Sequence, residues 1–314
     1  MKVKMALPHV CIAMCTHNGA AYLEAQLGSF LRQTHSDWSL WVSDDASSDT
    51  TLEIIAAFAA ANPAHAVHVF AGPARGSSAN FLSLLARPGL RGHAVALADQ
   101  DDVWFDDKLS HALGWLMQEP GRPALYASRT VLTDAALKPI GPSVLHPRPP
   151  AFGNALVQNI MAGNTMLFNA EALALLQAGL GATVSGVRHH DWWIYLALSG
   201  AGARLCNDAK PGLFYRQHGS NVMGAHKGIA GRLSRAGVIM RGEYASWNDG
   251  NMAALLQNLG LLTAQNKALA TDFAAMRAMP SRRARWQAMA ALDVYRISKG
   301  NKLMLKLMAF AGLV

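Results

Sequence analysis

The chain has 314 residues, of which 51% are hydrophobic and 15% charged, and a formal net charge of +8. This composition excludes a disordered or fibrous chain, and the length suits one large α/β domain with an appendage or two modest domains. No segment reaches the ~20 consecutive apolar residues that a transmembrane helix requires. Three cysteines without a Cys-x-x-Cys spacing favour a reduced, cytoplasmic protein and argue against a structural zinc site.

Short apolar runs alternate with helical patterns from the amino terminus to about Gly224, as in successive βαβ units. We predict strands at Val10–Cys15, Trp38–Ser43, Ala66–Phe70, Ala94–Ala98, Ala124–Ser128, Asn164–Asn169 and Ala203–Asn207. Helices are predicted at Ala20–Gln33 and Ser48–Ala61. The proline-rich segment Pro139–Pro150 is predicted to be a loop over a cleft.

After Gly224 the pattern predicts only helices, at Ala225–Tyr244, Asn251–Met279 and Arg282–Leu313. We therefore expect a domain over residues 1–224 and a helical extension over residues 225–314. The charge is uneven, since residues 1–224 hold 15 Lys+Arg and 16 Asp+Glu, whereas residues 225–314 hold 13 and 4. Such a basic extension is expected to meet an anionic partner, and a phospholipid surface and nucleic acid are the two obvious candidates.

The last predicted helix mixes three lysines with large apolar residues. Lys299, Lys302 and Lys306 are spaced among Ile297, Leu303, Met304, Leu305 and Leu307. This pattern is typical of a helix that lies in a membrane interface, and it is equally typical of a helix packed on its own domain with solvated lysines. Both interpretations stay open from the sequence.

Two acidic clusters follow predicted strands. Asp44 and Asp45 come directly after the second strand, where carboxylates are suited to hydrogen-bond a base and a ribose, while Asp49 is equally suited to cap the next helix. Asp99, Asp101 and Asp102 follow the fourth strand within one turn. Because crowded carboxylates repel one another, a bound Mg²⁺ or Mn²⁺ is the economical explanation, with a solvated turn as the alternative.

These clusters belong to an ordered set of motifs. The set comprises Thr16-His17-Asn18-Gly19, Asp44-Asp45-Ala46-Ser47-Ser48-Asp49-Thr50, Gly76 with Asn80, Asp99-Gln100-Asp101-Asp102-Val103-Trp104, Gly163-Asn164-Thr165-Met166, His190-Asp191-Trp192-Trp193 and Tyr215-Arg216-Gln217-His218-Gly219-Ser220-Asn221. Over residues 8–224 the set resembles the family 2 glycosyltransferases, in particular a branch associated with rhamnosyl transfer in bacterial surface polysaccharides. The tail after Gly224 resembles no family that we can name.

The resemblance implies an α/β GT-A fold, a Rossmann-like mixed sheet flanked by helices, with a C-terminal helical extension. It also implies that Thr16, Asn18, Asp44, Asp45, Asn80, Asp99, Gln100 and Asp101 bind the nucleotide sugar, and that Asp101, Asp102 and His218 hold the metal. Asp191 corresponds to the general base of an inverting transfer. Its neighbours Trp192 and Trp193 would stack on a sugar, or would be core residues in the alternative interpretation.

The expected activity is an inverting, metal-dependent transfer from a nucleotide-diphosphate sugar to a saccharide or lipid-linked acceptor. The expected location is the cytoplasmic face of the inner membrane, with the basic helices at the lipid surface and no nucleic-acid partner. One alternative is a metal-dependent sugar-phosphate nucleotidyltransferase, which normally has a basic, Gly-rich phosphate loop that Thr16–Gly19 does not supply. The other is a non-catalytic basic binding protein. One departure from the family is His190, which precedes Asp191 where an acidic residue is common.

Overall fold

The computed structural model describes residues 7–118, 120–181, 186–218, 242–297 and 301–314. Its strands are β1 Val10–Thr16, β2 Trp38–Asp44, β3 Val67–Ala71, β4 Ala94–Ala98, β5 Val103–Trp104, β6 Ala124–Thr133, β7 Pro139–Pro142, β8 Leu167–Phe168 and β9 Arg204–Arg216. Its helices are α1 Ala20–Leu31, α2 Thr51–Ala61, α3 Ser77–Leu85, α4 Lys108–Leu116, α5 Phe152–Ala155, α6 Ala170–Gly179, α7 His190–Gly200, α8 Glu243–Gln257, α9 Ala264–Ala278, α10 Arg282–Ala291 and α11 Asn301–Ala311.

The described strands form one mixed sheet in the order β3-β2-β1-β4-β8-β6-β9-β5, with β7 paired to β6. Strands β3, β2, β1 and β4 are parallel, and their registers bring Thr16 opposite Asp44 and Met14 opposite Ala98. The residues that follow these strands therefore meet at one edge of the sheet. This edge, outside the carboxyl ends of the strands, is where open α/β sheets bind their ligands.

Strand β1 is buried along its whole length because both faces of the sheet are covered. Its alternate residues enter two hydrophobic clusters, Cys11, Ala13 and Cys15 in one and Val10, Ile12 and Met14 in the other. A strand covered on both faces must be apolar at every position, which explains why the sequence shows a continuous apolar run rather than an alternating one.

The second half of the sheet differs from the sequence prediction in several places, including the unpredicted strand β5 and the extension of β6 to Thr133. The predicted strand Asn164–Asn169 is reduced to β8, because Gly163–Thr165 forms a 3-10 turn. The predicted strand Ala203–Asn207 continues to Arg216, pairing in parallel with β6 through two register shifts. The segment predicted as a loop, Pro139–Pro150, begins with the edge strand β7.

The helices after residue 241 are shorter than predicted. The expected helix Asn251–Met279 is interrupted because Thr263 accepts a hydrogen bond from the Asn266 N–H and so caps a new helix. The expected helix Arg282–Leu313 is interrupted after Ala291, where residues 292–297 run along the α5 region. Most of the predicted helix Ala225–Tyr244 lies outside the described residues.

The C-terminal helices share a hydrophobic cluster with the rest of the molecule. Met252, Leu255 and Phe273 belong to the same cluster as residues of β1, β4 and α7. The division of function at residue 224 stays a prediction. Among the helices in the described ranges, none is both long and apolar enough to cross a bilayer.

Candidate functional site

A large cleft, about 1670 Å³ in volume, lies at the carboxyl edge of the sheet. Its lining includes residues from all seven of the sequence motifs, namely Thr16, Asn18, Asp45, Gly76, Asn80, Asp99, Gln100, Asp101, Gly163, Asn164, His190, Asp191, Tyr215 and His218. The topology brings these motifs together because β1, β2 and β4 are parallel neighbours and β9 returns beside the second half of the sheet. Most of the predicted site residues therefore face one space.

At one end of the cleft, the paired carboxylates after β2 support the surrounding loops. Asp44 accepts hydrogen bonds from Thr16 Oγ1 at 2.7 Å and from the Ser47 backbone N–H at 2.8 Å. Asp45 accepts from the backbone N–H groups of Ala74 at 2.6 Å and Gly76 at 2.7 Å. Asp45 and Thr16 line the cleft, whereas Asp44 lies behind Thr16 and is buried.

The turn after β1 is held by side chains from two other motifs. Asn18 has a positive φ of 49°, and its Oδ1 accepts from the Ser48 backbone N–H at 2.8 Å. The Gln100 side chain bonds both ways with the His17 backbone, accepting from N at 2.9 Å and donating to O at 3.0 Å. Asparagine tolerates the left-handed conformation better than most residues, which explains its place in this turn.

Asn80 fixes the junction between β2 and α3. Its Nδ2 donates to the Ser43 carbonyl at 2.8 Å, and its buried Oδ1 has no hydrogen-bond partner among the described residues. A buried amide oxygen without a partner is costly, so a donor on a bound ligand would satisfy it.

The second acidic cluster supplies a candidate metal centre. One oxygen from each of Asp99, Asp101 and Asp102 lies within 4.8 Å of the others. Asp102 is fully buried and accepts from Asn164 Nδ2 at 2.6 Å and from the Arg216 backbone N–H at 3.4 Å. Asp99 and Asp101 line the cleft, while Asp102 does not. Asp102 thus anchors the acidic turn to two other motifs.

His218, two residues after the end of β9, completes this cluster. Its Nε2 lies 2.7 Å from Asp101 Oδ2, and its ring packs against Tyr22 with the centroids 4.8 Å apart. Both side chains of the pair are largely buried and both line the cleft. The structure therefore brings Asp101 and His218 together in the cleft.

The electrostatics of the cluster reflect an unbalanced negative charge. Burial, followed by the nearby charge of Asp101, raises the pKa of Asp99 to about 7. Burial and the charges of Asp99 and Asp101 also raise the pKa of Asp102 well above its usual range. Repulsion of this kind is relieved when a divalent cation binds, so the donor set fits a metal.

Lys108 is a charged neighbour that the sequence did not single out. It is buried, its Nζ lies 3.6 Å from the centre of the Trp104 ring, and burial lowers its pKa to about 7 despite the charges of Asp102 and Asp99. A lysine at the start of a helix gives no sequence signal for this position. Only the packing of α4 beneath the acidic turn reveals it.

Asp191 lies in the first turn of α7 and faces the cleft. Its Oδ2 accepts from the Gly163 backbone N–H at 3.3 Å, and its Oδ1 accepts from its own neighbour, the Trp192 N–H, at 2.7 Å. Beside it, His190 stacks on Phe81 with the ring centroids 4.1 Å apart, and burial lowers the pKa of His190 to about 4. His190 is therefore a neutral ring at neutral pH.

Trp192 and Trp193 do not form a sugar-stacking surface, which corrects the sequence prediction. They are only 4% and 1% exposed, and both belong to the hydrophobic core. Trp192 Nε1 donates to the Ala155 carbonyl at 2.6 Å. At the start of α7, the side chains of residues 192 and 193 point toward the core, whereas that of Asp191 points toward the cleft. Adjacent residues of one motif therefore have different environments.

The opposite wall of the cleft contains residues that the sequence analysis missed. Arg129 from β6 donates through Nε to the Ser143 carbonyl at 3.1 Å, and Ser143 and His146 line the cleft beside it. The segment after β7 thus borders the cleft, as predicted for the proline-rich loop. Arg129 had no local signal, because an arginine within a strand pattern is usually solvated.

Comparison with known proteins shows similarity to a family over the first part of the chain. Residues 11–136 match the family model described as glycosyl transferase family 2. The dTDP-rhamnosyl transferase RfbG of Shigella flexneri is 26% identical over 242 residues, which cover 74% of this chain and 80% of that protein. A UDP-Glc:alpha-D-GlcNAc-diphosphoundecaprenol beta-1,3-glucosyltransferase, WfgD of Escherichia coli, is 28% identical over 109 residues, covering 35% of this chain and 41% of that protein.

Solved structures show the same fold at low sequence identity. TarS residues 1–349 of S. aureus, in complex with UDP-GlcNAc, superpose with a TM-score of 0.57 at 13% identity, covering 97% of this chain and 88% of that one. The mannosyltransferase PcManGT of Pyrobaculum calidifontis, in complex with GDP-Man and Mn²⁺, superposes with a TM-score of 0.52 at 20% identity, covering 98% and 86%. At these identities the likeness concerns the fold.

Proposed function

Because the chain is a family 2 glycosyltransferase with a GT-A fold, we propose that it transfers a sugar from a nucleotide-diphosphate donor to a hydroxyl of a saccharide or lipid-linked acceptor. Rhamnose is the first donor sugar to test, because the relative RfbG is named as a dTDP-rhamnosyl transferase. The proposed setting is the synthesis of a bacterial cell-surface polysaccharide such as lipopolysaccharide. One observation carries the proposal: Asp101, His218 and Asp191 line the same cleft.

The nucleoside is assigned to the end of the cleft bounded by Asn18, Asp45 and Asn80. Asp45 and the Asn80 amide oxygen are hydrogen-bond acceptors that a base and ribose require. Asp44 supports this end from behind, because it accepts a hydrogen bond from Thr16, which lines the cleft. Gln100 links the turn after β1, at the nucleoside end, to the turn after β4, which carries the acidic cluster. The two ends of the cleft are therefore held in a fixed relation.

The acidic cluster is the proposed site for Mg²⁺ or Mn²⁺. Carboxylate oxygens and a neutral imidazole are suitable ligands, and a cation would offset the burial and the carboxylate repulsion that raise the pKa of Asp99. We assign metal contact to Asp101 and His218, with Asp99 beside them, and an anchoring role to the buried Asp102. A divalent cation here would neutralise charge on the departing diphosphate.

Asp191 is the proposed general base. A carboxylate that lines the cleft is able to accept the proton of the acceptor hydroxyl as that oxygen attacks the anomeric carbon. The hydrogen bond from the Gly163 N–H to Oδ2 orients the carboxylate. A single base of this kind fits a direct displacement, which inverts the configuration at the anomeric carbon.

The proposed location is the cytoplasmic face of the inner membrane, as a peripheral protein. Support comes from the basic residues 225–314 and from the relative WfgD, whose name specifies a diphosphoundecaprenol acceptor. In this proposal residues 1–224 carry the transfer chemistry and residues 225–314 carry the contact with the lipid surface.

The test is donor turnover by the purified chain. Nucleotide-diphosphate sugars, including dTDP-rhamnose, are incubated with Mg²⁺, Mn²⁺ or EDTA, and the released nucleoside diphosphate is measured for the wild type and Asp101→Asn. We expect metal-dependent release from one donor and a loss of at least about 100-fold in the variant. Release of the nucleoside diphosphate that EDTA does not reduce and that is unchanged in Asp101→Asn would contradict the proposed metal site.

A further inference from the structure

Helices α10 and α11 pack together at the end of the chain and leave one large apolar face exposed. On α11, Leu303, Met304, Leu307 and Phe310 are 59%, 49%, 54% and 38% exposed. Their spacing of three and four residues places them on one side of the helix. Leu305, Met308 and Ala309 occupy the other side and are buried in the core. Within the described part of the chain, the exposed side is therefore not packed against the core.

Helix α10 widens this face and adds a groove. Arg283, Trp286 and Gln287 of α10 line a shallow depression with Leu307 and Phe310 of α11. The two helices are fixed to each other because the Arg285 guanidinium donates to the carbonyls of Ala309 at 2.7 Å and Phe310 at 3.1 Å. We call the surface formed by Trp286, Leu303, Met304, Leu307 and Phe310 the apolar face.

Cations border the apolar face, and no Asp or Glu occurs in either helix. Arg282 lies over the Phe310 ring at 5.9 Å, Lys306 lies over the Trp286 ring at 5.2 Å, and Arg283 is exposed beside the groove. Lys302 is not part of this border, because its Nζ donates to the Leu292 carbonyl. The cations thus come mainly from α10, which the sequence pattern of the last helix did not indicate.

We propose that the apolar face and its border of Arg282, Arg283 and Lys306 bind the surface of a bilayer that contains anionic phospholipid. Exposed leucine, methionine and aromatic side chains beside unopposed cations are the combination that enters a headgroup region. Nucleic acid would contact the cations but would leave the apolar residues in water. The proposal rests on the proposed membrane location and is independent of the transfer chemistry.

The connection between α10 and α11 ties this face to the cleft. Along residues 292–297, the Tyr295 N–H donates to the Gly153 carbonyl at 3.3 Å, and the Ile297 N–H donates to Gln158 Oε1 at 2.9 Å. Residues 159–164, which follow directly in the chain, line the cleft. A lipid surface bound at the apolar face would therefore be held in a fixed relation to the cleft, as an enzyme with a lipid-linked acceptor requires.

The experiment measures co-sedimentation of the full chain with vesicles of phosphatidylcholine alone or with phosphatidylglycerol added. Leu307→Glu tests the apolar contribution, and Leu256→Glu is its matched control, because Leu256 is 39% exposed on α8 outside the face. Arg283→Gln tests the charge, and Lys267→Gln on α9 is its control. We expect binding to the anionic vesicles only, reduced more than tenfold by Leu307→Glu and about fivefold by Arg283→Gln, with both controls unchanged.

Equal binding to both vesicle types, or wild-type binding by Leu307→Glu, would overturn the proposal. A dimer in analytical ultracentrifugation that Leu307→Glu dissociates, without vesicle binding by the wild type, would assign the face to a second copy instead. Donor turnover in detergent-free solution is measured on the same samples. Full donor turnover without vesicle binding would count against the role of the apolar face alone. Absent turnover in every sample would contradict the proposed transferase.

Discussion

The imidazole Nε2 of His218 lies 2.7 Å from Asp101 Oδ2, although 117 residues separate the two in the chain. This contact joins the end of β9 to the acidic turn after β4 and so closes one side of the cleft. If His218 and Asp101 hold a divalent cation together, His218→Ala removes one ligand and frees the other to move. We expect affinity for Mg²⁺ or Mn²⁺ to fall about 10- to 100-fold, measured as the metal concentration that gives half-maximal turnover.

The chain offers a matched control for this variant. His111 Nε2 lies 2.8 Å from Asp208 Oδ2, which is also a His–Asp pair between distant segments, but neither residue lines the cleft. His111→Ala should leave the metal requirement unchanged. An equal effect of both variants would mean that His218 acts only through general stability.

Replacing the proposed base should separate chemistry from binding. Asp191→Asn keeps the size of the side chain but cannot accept a proton at neutral pH, so we expect kcat to fall about 10²- to 10⁴-fold. Donor affinity, measured by calorimetry, should stay within about twofold because the donor contacts assigned above lie elsewhere. Glu171→Gln, an acidic residue in the first turn of α6, is the control. An unchanged kcat in Asp191→Asn would contradict the assignment of Asp191 as the general base.

The backbone at Gly163 is packed so closely that a methyl group would displace the proposed base. A Cβ there would lie 2.7 Å from His190 Nε2 and 3.2 Å from Asp191 Cβ. We expect Gly163→Ala to lower kcat about 100-fold through the shift of Asp191. Adding His190→Ala removes the nearer obstacle and should restore part of the activity, measured as kcat of the double variant. A double variant less active than Gly163→Ala would contradict this steric account.

The burial of Trp192 predicts a change in stability rather than in sugar binding. Trp192→Phe removes the hydrogen bond from Nε1 to the Ala155 carbonyl and should lower the free energy of unfolding by about 1 kcal/mol. KM for the acceptor should not change, because the indole does not reach the cleft. Chemical denaturation and steady-state kinetics measure the two quantities. A raised KM for the acceptor without loss of stability would indicate that Trp192 contacts the sugar.

Metal affinity should depend on pH near neutrality. Burial and the charge of Asp101 raise the pKa of Asp99 to about 7, so below pH 7 a proton occupies the carboxylate and must be released when the cation binds. The affinity for Mg²⁺ should therefore rise as pH increases to about 7 and then level off. Calorimetry in two buffers of different ionisation enthalpy detects the released proton. A constant affinity for Mg²⁺ between pH 5.5 and 8 would show that binding of the cation does not change the protonation of Asp99.

The sequence predicted the parallel half of the sheet well because its central strands β1 and β4 are continuous apolar runs. Val10–Thr16 and Ala94–Ala98 are buried on both faces, and such runs end where polar loop residues begin. It failed at Asn164–Asn169, where Gly163–Thr165 turns so that Asn164 reaches Asp102. A local pattern carries no information about a partner 62 residues away.

The same limit explains the errors within single motifs. In His190-Asp191-Trp192-Trp193, the letters identify a family motif but not the direction of each side chain. Whether a tryptophan faces a ligand or the core depends on what packs against the helix, and here residues of α5 and α8 do so. Lys108 and Arg129 gave no signal at all, since their importance arises only from neighbours that tertiary packing supplies.

The sequence by itself determined the family, the α/β class and the motifs that carry the carboxylates, because these depend on residue types and their order. Only the tertiary structure decided which carboxylates face the cleft, that Asp102 is an anchor, and that the cations beside the apolar face come mainly from α10. The physical reason is that burial, pKa and exposure are set by contacts between distant segments. Those contacts exist only once the sheet and the helices have packed.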